Sequence, residues 1–318
     1  MTDAHDPITL RILELSSIFA DTPTFSRLSE QFLRPLARRR AEIKTGLIGE
    51  ARAIALIGAS GSGKSRLATR LFQTCPDLLL VRDGQERCDV ISIMIPSPTT
   101  LKSVGRAILE ALGRPLMRER TSDAIWELVR GFLKERQVLF LHLDEAQDIA
   151  QHQTLKERQA VINTLKSLMQ NKEWPVGLIL SGMPGLRDIL NHDPQLARRV
   201  YPIELPRLSA VGDIEAVSDM VAYYAGATDL SCPSDRQAII ETSARLIHAA
   251  DREFGLAIIL TIEGIEEALR GGSQILGREQ FAAAFTRKTD CIAGPNLFIA
   301  DDYELIDVRK ILGREDEE

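Results

Sequence analysis

Eight residues, Gly58-Ala59-Ser60-Gly61-Ser62-Gly63-Lys64-Ser65, follow the spacing G-x-x-x-x-G-K-[ST]. Glycines in such a run let backbone N–H groups wrap a polyphosphate with no Cβ in the way, and a helix start behind them adds positive potential. Lys64 would reach the β- and γ-phosphates, and the Ser65 hydroxyl would ligate Mg²⁺. By residue usage the pattern arises by chance about once in a hundred chains of this length. Its flanks fit as well: Ala53–Ile57 reads as a buried strand, and "RLATRLF" continues from Arg66 as a helix with Leu67 and Leu71 four apart. The expected ATP contacts therefore run from Gly58 through Ala59, Ser60, Gly61, Ser62, Gly63, Lys64 and Ser65 to Arg66.

The second chemical stretch is "VLFLHLDEAQD", residues 138–148, an apolar run ending in Asp144 and Glu145. An acid at a strand's C-terminal end can hold a Mg²⁺ shell, and the next carboxylate can polarise an attacking water. An N-cap pair for a following helix is the plainer alternative. The tetrapeptide Asp144-Glu145-Ala146-Gln147 looks like a helicase DEAD box. A helicase, however, needs a second α/β domain, and fewer than half of the residues follow Ser181. A GTPase would carry N-K-x-D after a strand, whereas Asn171-Lys172-Glu173-Trp174 lacks the Asp and precedes its strand.

These residues need a scaffold. Short aliphatic runs at 53–57, 90–95, 138–143, 176–180 and 200–205 read as strands, with helical patterns such as "SPTTLKSVGRAILEALG" and "RQAVINTLKSLMQ" between them. Alternation of this kind implies a parallel sheet covered on both faces. After residue 209 the pattern turns helical in four segments. The expected fold class is α/β: an AAA+ P-loop NTPase with a five-stranded parallel sheet and a C-terminal helical lid. Its expected divisions are an N-terminal helical segment (1–50), the α/β ATPase core (51–208), the lid (209–287) and a C-terminal tail (288–318). Within an AAA+ arrangement, Ser181 at the end of "LILSG" would orient the attacking water. Arg198 and Arg199, just before the fifth strand, would supply the arginine that reaches a neighbour's γ-phosphate, with register favouring Arg199. Solvated arginines on a helix end are the alternative. A lid arginine stays unassigned, because the helix start after Gly255 has no basic residue and Arg252 lies before it.

Along most of its length the chain resembles the TniB/TnsC family of transposition regulators. The resemblance rests on "RILELSSIFADTPTFSRL", "VISIMIPSPTTLKSVGRAILEALGRP", "LHLDEAQDIAQHQTLKERQAVINTLKSL", "LILSGMPGLRDILNHDPQLARRVYPIELPRLS" and "GPNLFIADDYEL". Departures are "DEAQD" for D-E-x-H-N, Met183 where the family's G-T-x-E has Thr, and Leu297 where its Asn-Pro-Phe segment has Pro. The resemblance implies ATP-dependent homo-oligomers on double-stranded DNA that recruit a DDE-type transposase and a TniQ-type adaptor, with ATP hydrolysis driving disassembly. Lys102 and Arg106, four apart on the helix after the second strand, would grip DNA phosphates without reading bases; a solvated helix face is the alternative. The run Arg34, Arg38, Arg39, Arg40 could touch DNA or a neighbouring subunit, or be solvated.

Composition limits these readings. The chain has 318 residues, 44% apolar and 26% charged, enough for a sizeable core. Its net charge of −6, partly from the tail "REDEE", argues against bulk attraction to nucleic acid but not against a local basic stripe. It keeps open an AAA+ ATPase coupled to protein partners in secretion or signalling, without DNA affinity. A small-molecule kinase is a third possibility. Cys75, Cys88, Cys232 and Cys291 are scattered and read as reduced thiols. With no long apolar run and an acidic start, the expectation is a cytoplasmic protein with no membrane span.

Overall fold

The computed structural model describes residues 6–80, 87–149, 154–291 and 294–313. The acidic tail, residues 314–318, and residues 150–153 of the segment after Asp144 lie outside these. In chain order the helices and strands are α1 (Pro7–Ser17), α2 (Pro23–Thr45), β1 (Ala53–Ile57), α3 (Lys64–Thr74), β2 (Val90–Met94), α4 (Leu101–Ala111), α5 (Ser122–Glu135) and β3 (Phe140–Asp144). There follow α6 (Leu155–Met169), β4 (Gly177–Gly182), α7 (Gly185–His192), α8 (Pro194–Ala197), β5 (Val200–Glu204), α9 (Ile214–Gly226), α10 (Arg236–Ala249), α11 (Phe254–Arg270) and α12 (Arg278–Thr289).

The chain divides into two compact units, one of Asp21–Ala59 with Lys64–Leu205, the other of Met1–Ala20, Ser60–Gly63 and Pro206–Glu318. In the first, the strands form one sheet in the order β2-β3-β4-β1-β5, all pairs parallel. Every residue of β1 and β4 is buried, as expected for strands covered on both faces. The order matters for chemistry: β4, which carries Ser181, lies between β1, which feeds the glycine-rich loop, and β3, which ends in Asp144. Phe32 of α2 packs against Phe72 of α3 and Phe140 of β3, with ring centroids 6.3 and 5.0 Å apart. Helix starts are set by side-chain caps. Thr100 and Ser103 form a reciprocal capping box at α4, as do Thr154 and Glu157 at α6.

At the edge of the sheet, Ala53 donates to the Arg199 carbonyl and Leu205 to that of Ile57. Alternation along β5 therefore turns Pro202 to the outer side, where its missing N–H breaks no bond within the sheet.

The second unit is helical. Its core joins Val217, Tyr224, Leu246, Leu260, Ile265 and Phe285 with Leu15 of α1 and with Leu297, Phe298 and Val308 near the C-terminus. Tyr224 donates its hydroxyl to the Ile18 carbonyl at 3.0 Å. Asn296, fully buried, bonds the Ala282 carbonyl and the Thr286 hydroxyl, and Phe298 stacks on Phe281 at 5.4 Å. These contacts redraw two expected divisions. Residues 1–50 are not one segment, since α1 packs in the helical unit and α2 in the sheet unit. The part of 288–318 described here is core of the helical unit, because Leu297 and Phe298 fill space that α12 alone leaves open.

Candidate functional site

Asp144, Ser181 and Ser65 converge in the sheet unit. Ser181 donates its hydroxyl to Asp144 Oδ1 at 2.6 Å. Burial pushes the Asp144 carboxyl up, but hydrogen bonds from Ser181 and Ser65 and the backbone N–H of Glu145 outweigh it and hold the group below its ordinary value. Asp144 is thus an ionised, half-buried carboxylate with two hydroxyls on it. A carboxylate and a hydroxyl are hard oxygen donors of the kind Mg²⁺ takes, alongside phosphate oxygens and water.

The glycine-rich loop leaves β1 at Gly58. Gly61 and Gly63 adopt φ of 79° and 97°, which side chains with a Cβ rarely tolerate. Lys64, only 5% exposed, turns its ammonium back onto the carbonyls of Gly58 and Ala59, each at 2.9 Å. The Ser62 hydroxyl is buried with no partner among the described residues, an orphan donor of the kind an oxyanion would satisfy. Ser65 and Arg66 lie exposed in the first turn of α3, and Ala59 is half-buried. Ser60–Gly63 group with the helical unit. There a Cβ on Gly255, at the start of α11, would come within 2.4 Å of the Gly61 carbonyl oxygen.

Glu145 has φ of 54°, a left-handed conformation uncommon for a residue with a side chain. Its carboxylate accepts from Gln147 Nε2 at 2.7 Å, and the same amide accepts from Met183 N at 2.9 Å. Gln147 therefore ties Glu145 to the end of β4. Gly182 makes room for this, since a Cβ there would lie 2.6 Å from Gln147 Oε1. Sequence reasoning gave the Ala146-Gln147 pair no weight. The only available signal was a buried-type position two residues past the acid pair, which does not reveal its partner.

A second residue went unread. His142, 3% exposed in the middle of β3, contacts Ser92 through Nδ1 at 2.7 Å and Ser181 through Nε2 at 2.8 Å. Burial lowers its pKa to about 4, against an upward pull from Asp144, so the ring is neutral at neutral pH. Its face meets the edge of Phe72 at 5.4 Å.

The two arginines before β5 are placed differently from the order of preference in the sequence. Arg199 is 2% exposed, with its guanidinium on Glu50 at 2.8 Å and on the Gln195 carbonyl. Arg198 is exposed. Register alone favoured Arg199; burial and the ion pair to Glu50 commit that side chain inside the sheet unit and leave Arg198 as the outward one. Lys102 and Arg106 do share a face of α4, yet both pair with Glu119. The basic run is largely neutralised as well. Arg34 pairs with Glu30 and Arg38 with Glu42, while Arg40 reaches Asp89. Arg39 is not solvated: it is buried against Glu42 and lies 5.0 Å over the Trp174 ring.

Among the described residues the four cysteines are free thiols, and no helix is long and apolar enough to cross a membrane.

Residues 47–190 match the family model described as an AAA domain. A search of curated proteins finds no match. Solved structures share the fold at low identity. The Aeropyrum pernix ORC2 protein, solved as ADPNP-ADP complexes, aligns at 13% identity and a TM-score of 0.61, covering 86% of this chain and 70% of that one. The A. pernix ORC1 protein in complex with DNA gives 18%, 0.58, 84% and 66%. CDC6P from Pyrobaculum aerophilum gives 17%, 0.57, 87% and 70%. Residues 47–190 are thus similar to an AAA domain, and the fold is that of an AAA+ P-loop NTPase.

Proposed function

We propose that this chain binds ATP with Mg²⁺, hydrolyses it, and works as an ATP-dependent, DNA-binding regulator of DNA transposition that assembles with copies of itself. The observation that carries the hydrolysis reading is the convergence of Ser65, Asp144 and Ser181 around one ionised carboxylate, with Glu145 beside it. Lys64 and the loop amides of Gly58–Ser65 hold the phosphates, with Arg66 on the turn behind them. Ser65 and Asp144 would hold Mg²⁺, which would supply positive charge to the phosphates. Glu145 takes the proton of the attacking water, and Ser181 orients that water. Arg198, or less directly Arg199, completes a neighbouring copy's site, which couples nucleotide state to assembly.

The transposition reading is supported by the TniB/TnsC resemblance along most of the chain. In that reading the partners are duplex DNA, met through Lys102 and Arg106, a DDE-type transposase and a TniQ-type adaptor. Solved structures of the same fold include the DNA complex of A. pernix ORC1 named above. A second reading, an AAA+ ATPase that acts on protein partners without DNA, is favoured by the net charge of −6 and by Glu119 occupying both Lys102 and Arg106. The test is a gel shift of nonspecific duplex, with images of the same mixture, using full-length protein and a non-hydrolysable ATP analogue. Analogue-dependent oligomers on DNA support the first reading. Oligomers that ignore DNA support the second, and monomers under all conditions defeat both.

A further inference from the structure

A chain of hydrogen bonds crosses three strands of the sheet. It runs from Ser92 on β2 through His142 on β3 to Ser181 on β4, and ends at Asp144. Its direction follows from proton counting. Ser181 donates its single hydroxyl proton to Asp144 Oδ1. Ser181 Oγ must then accept from His142, which places the imidazole proton on Nε2. The bare Nδ1 accepts the Ser92 proton. Every donor and acceptor in the chain is then satisfied in one direction only. The ring cannot swing out, because it is buried against Phe72.

We propose that His142 is a positioning residue: its Nε2–H, donated to Ser181 Oγ, commits the Ser181 proton to Asp144 and fixes that carboxylate toward Ser65. Ser181 keeps one free lone pair. It is fully buried, and with its proton committed to Asp144 it has none left to give a phosphate oxygen. The functional part of this inference rests on the ATP hydrolysis reading above; the tautomer does not. The role is that of an outer group that aims a metal-binding carboxylate, and such partners are typically worth 10–100-fold in metal affinity or activity.

Two measurements on the full-length protein test it. The first is ¹⁵N spectroscopy of histidine-labelled, metal-free protein, with the His142 signals assigned by their loss in His142→Gln. The expected ring has a protonated Nε2 and a bare Nδ1, and Ser92→Ala, which removes only the exposed end of the chain, keeps that tautomer, because Asp144 and Ser181 set it. A proton on Nδ1 in the wild type overturns the proposal. The second is the Mg²⁺ dependence of ATP hydrolysis. His142→Leu raises the Mg²⁺ half-saturation and lowers kcat, each about tenfold, while KM for ATP stays within about twofold. His142→Gln recovers most of both, because its amide can still donate to Ser181. If Leu performs as well as Gln, His142 only fills space and the proposal fails. If the wild type does not hydrolyse ATP at all, the hydrolysis reading fails instead. The tautomer and Mn²⁺ binding by the same variants then decide this one.

Discussion

Glu145 sits in left-handed backbone with Gln147 on its carboxylate, so the residue proposed to take a proton from water is held both by strain and by a hydrogen bond. Non-glycine residues in that region cost on the order of 1 kcal/mol and persist where the surroundings impose them. Glu145→Gln is expected to keep ATP binding and to lower turnover at least about a hundredfold, measured as kcat beside nucleotide affinity. Glu145→Gly should lose turnover equally without losing thermal stability, since glycine relieves the left-handed strain; a clear fall in Tm would contradict that. Gln147→Leu removes the tether alone, and kcat is expected to fall about tenfold with ATP affinity unchanged. The phosphate loop and the acid pair are readable in the sequence because their meaning is local: glycine spacing, a strand before, a helix after. Gln147 and His142 are not. Each acquires its role from β4, which comes alongside only when the sheet forms. The burial of Arg199 is hidden for the same reason, since its partner Glu50 lies far away in the chain.

At the scale of elements, strand positions follow from runs of aliphatic residues with no polar alternation, and all five are found within two residues of their expected limits. Helices α9 to α12 are equally plain, because their apolar residues recur at helical spacing. The short helices α7 and α8 are not, being too brief to show a period. What holds α8 is Asp193, which accepts from the amides of Gln195 and Leu196 and pairs with Lys166 at 2.6 Å. Burial raises the Asp193 carboxyl, but Lys166, the Leu196 amide and the Gln159 side chain outweigh it and keep the group below its ordinary value. A depressed carboxyl contributes stability above its unfolded pKa and loses it as pH falls through the folded value. The Asp193 contribution should therefore be full at neutral pH, begin to fall near the ordinary carboxylate value of about 4, and vanish only below the folded pKa, which lies lower still. Asp193→Ala, which strips both the cap and the partner of a mostly buried lysine, is expected to cost about 2–4 kcal/mol by denaturant unfolding at pH 7. Against the wild type that deficit should shrink in acid.

For the whole molecule, composition allowed a chain large enough for two cores and left its partners open; the division into units escaped the sequence because α1 and α2 are adjacent in the chain yet pack in different places. The two arginines before β5 separate folding from assembly. Arg199→Ala removes a buried guanidinium from Glu50 and is expected to cost about 2 kcal/mol in unfolding experiments. Arg198→Ala should leave Tm unchanged and lower the protein-concentration-dependent part of ATP turnover by at least about a thousandfold. If Arg199→Ala alone abolishes that part at unchanged Tm, the assignment is reversed. Pro202 bears on how such copies can join. A sixth strand laid against β5 would find no N–H at the centre of the outer row. Sheet-to-sheet growth through this edge is thus blocked, and copies that meet here must do so through side chains. An assembly of that kind has no shared ladder to melt when it comes apart, so each departing copy leaves fully folded and fit for another round.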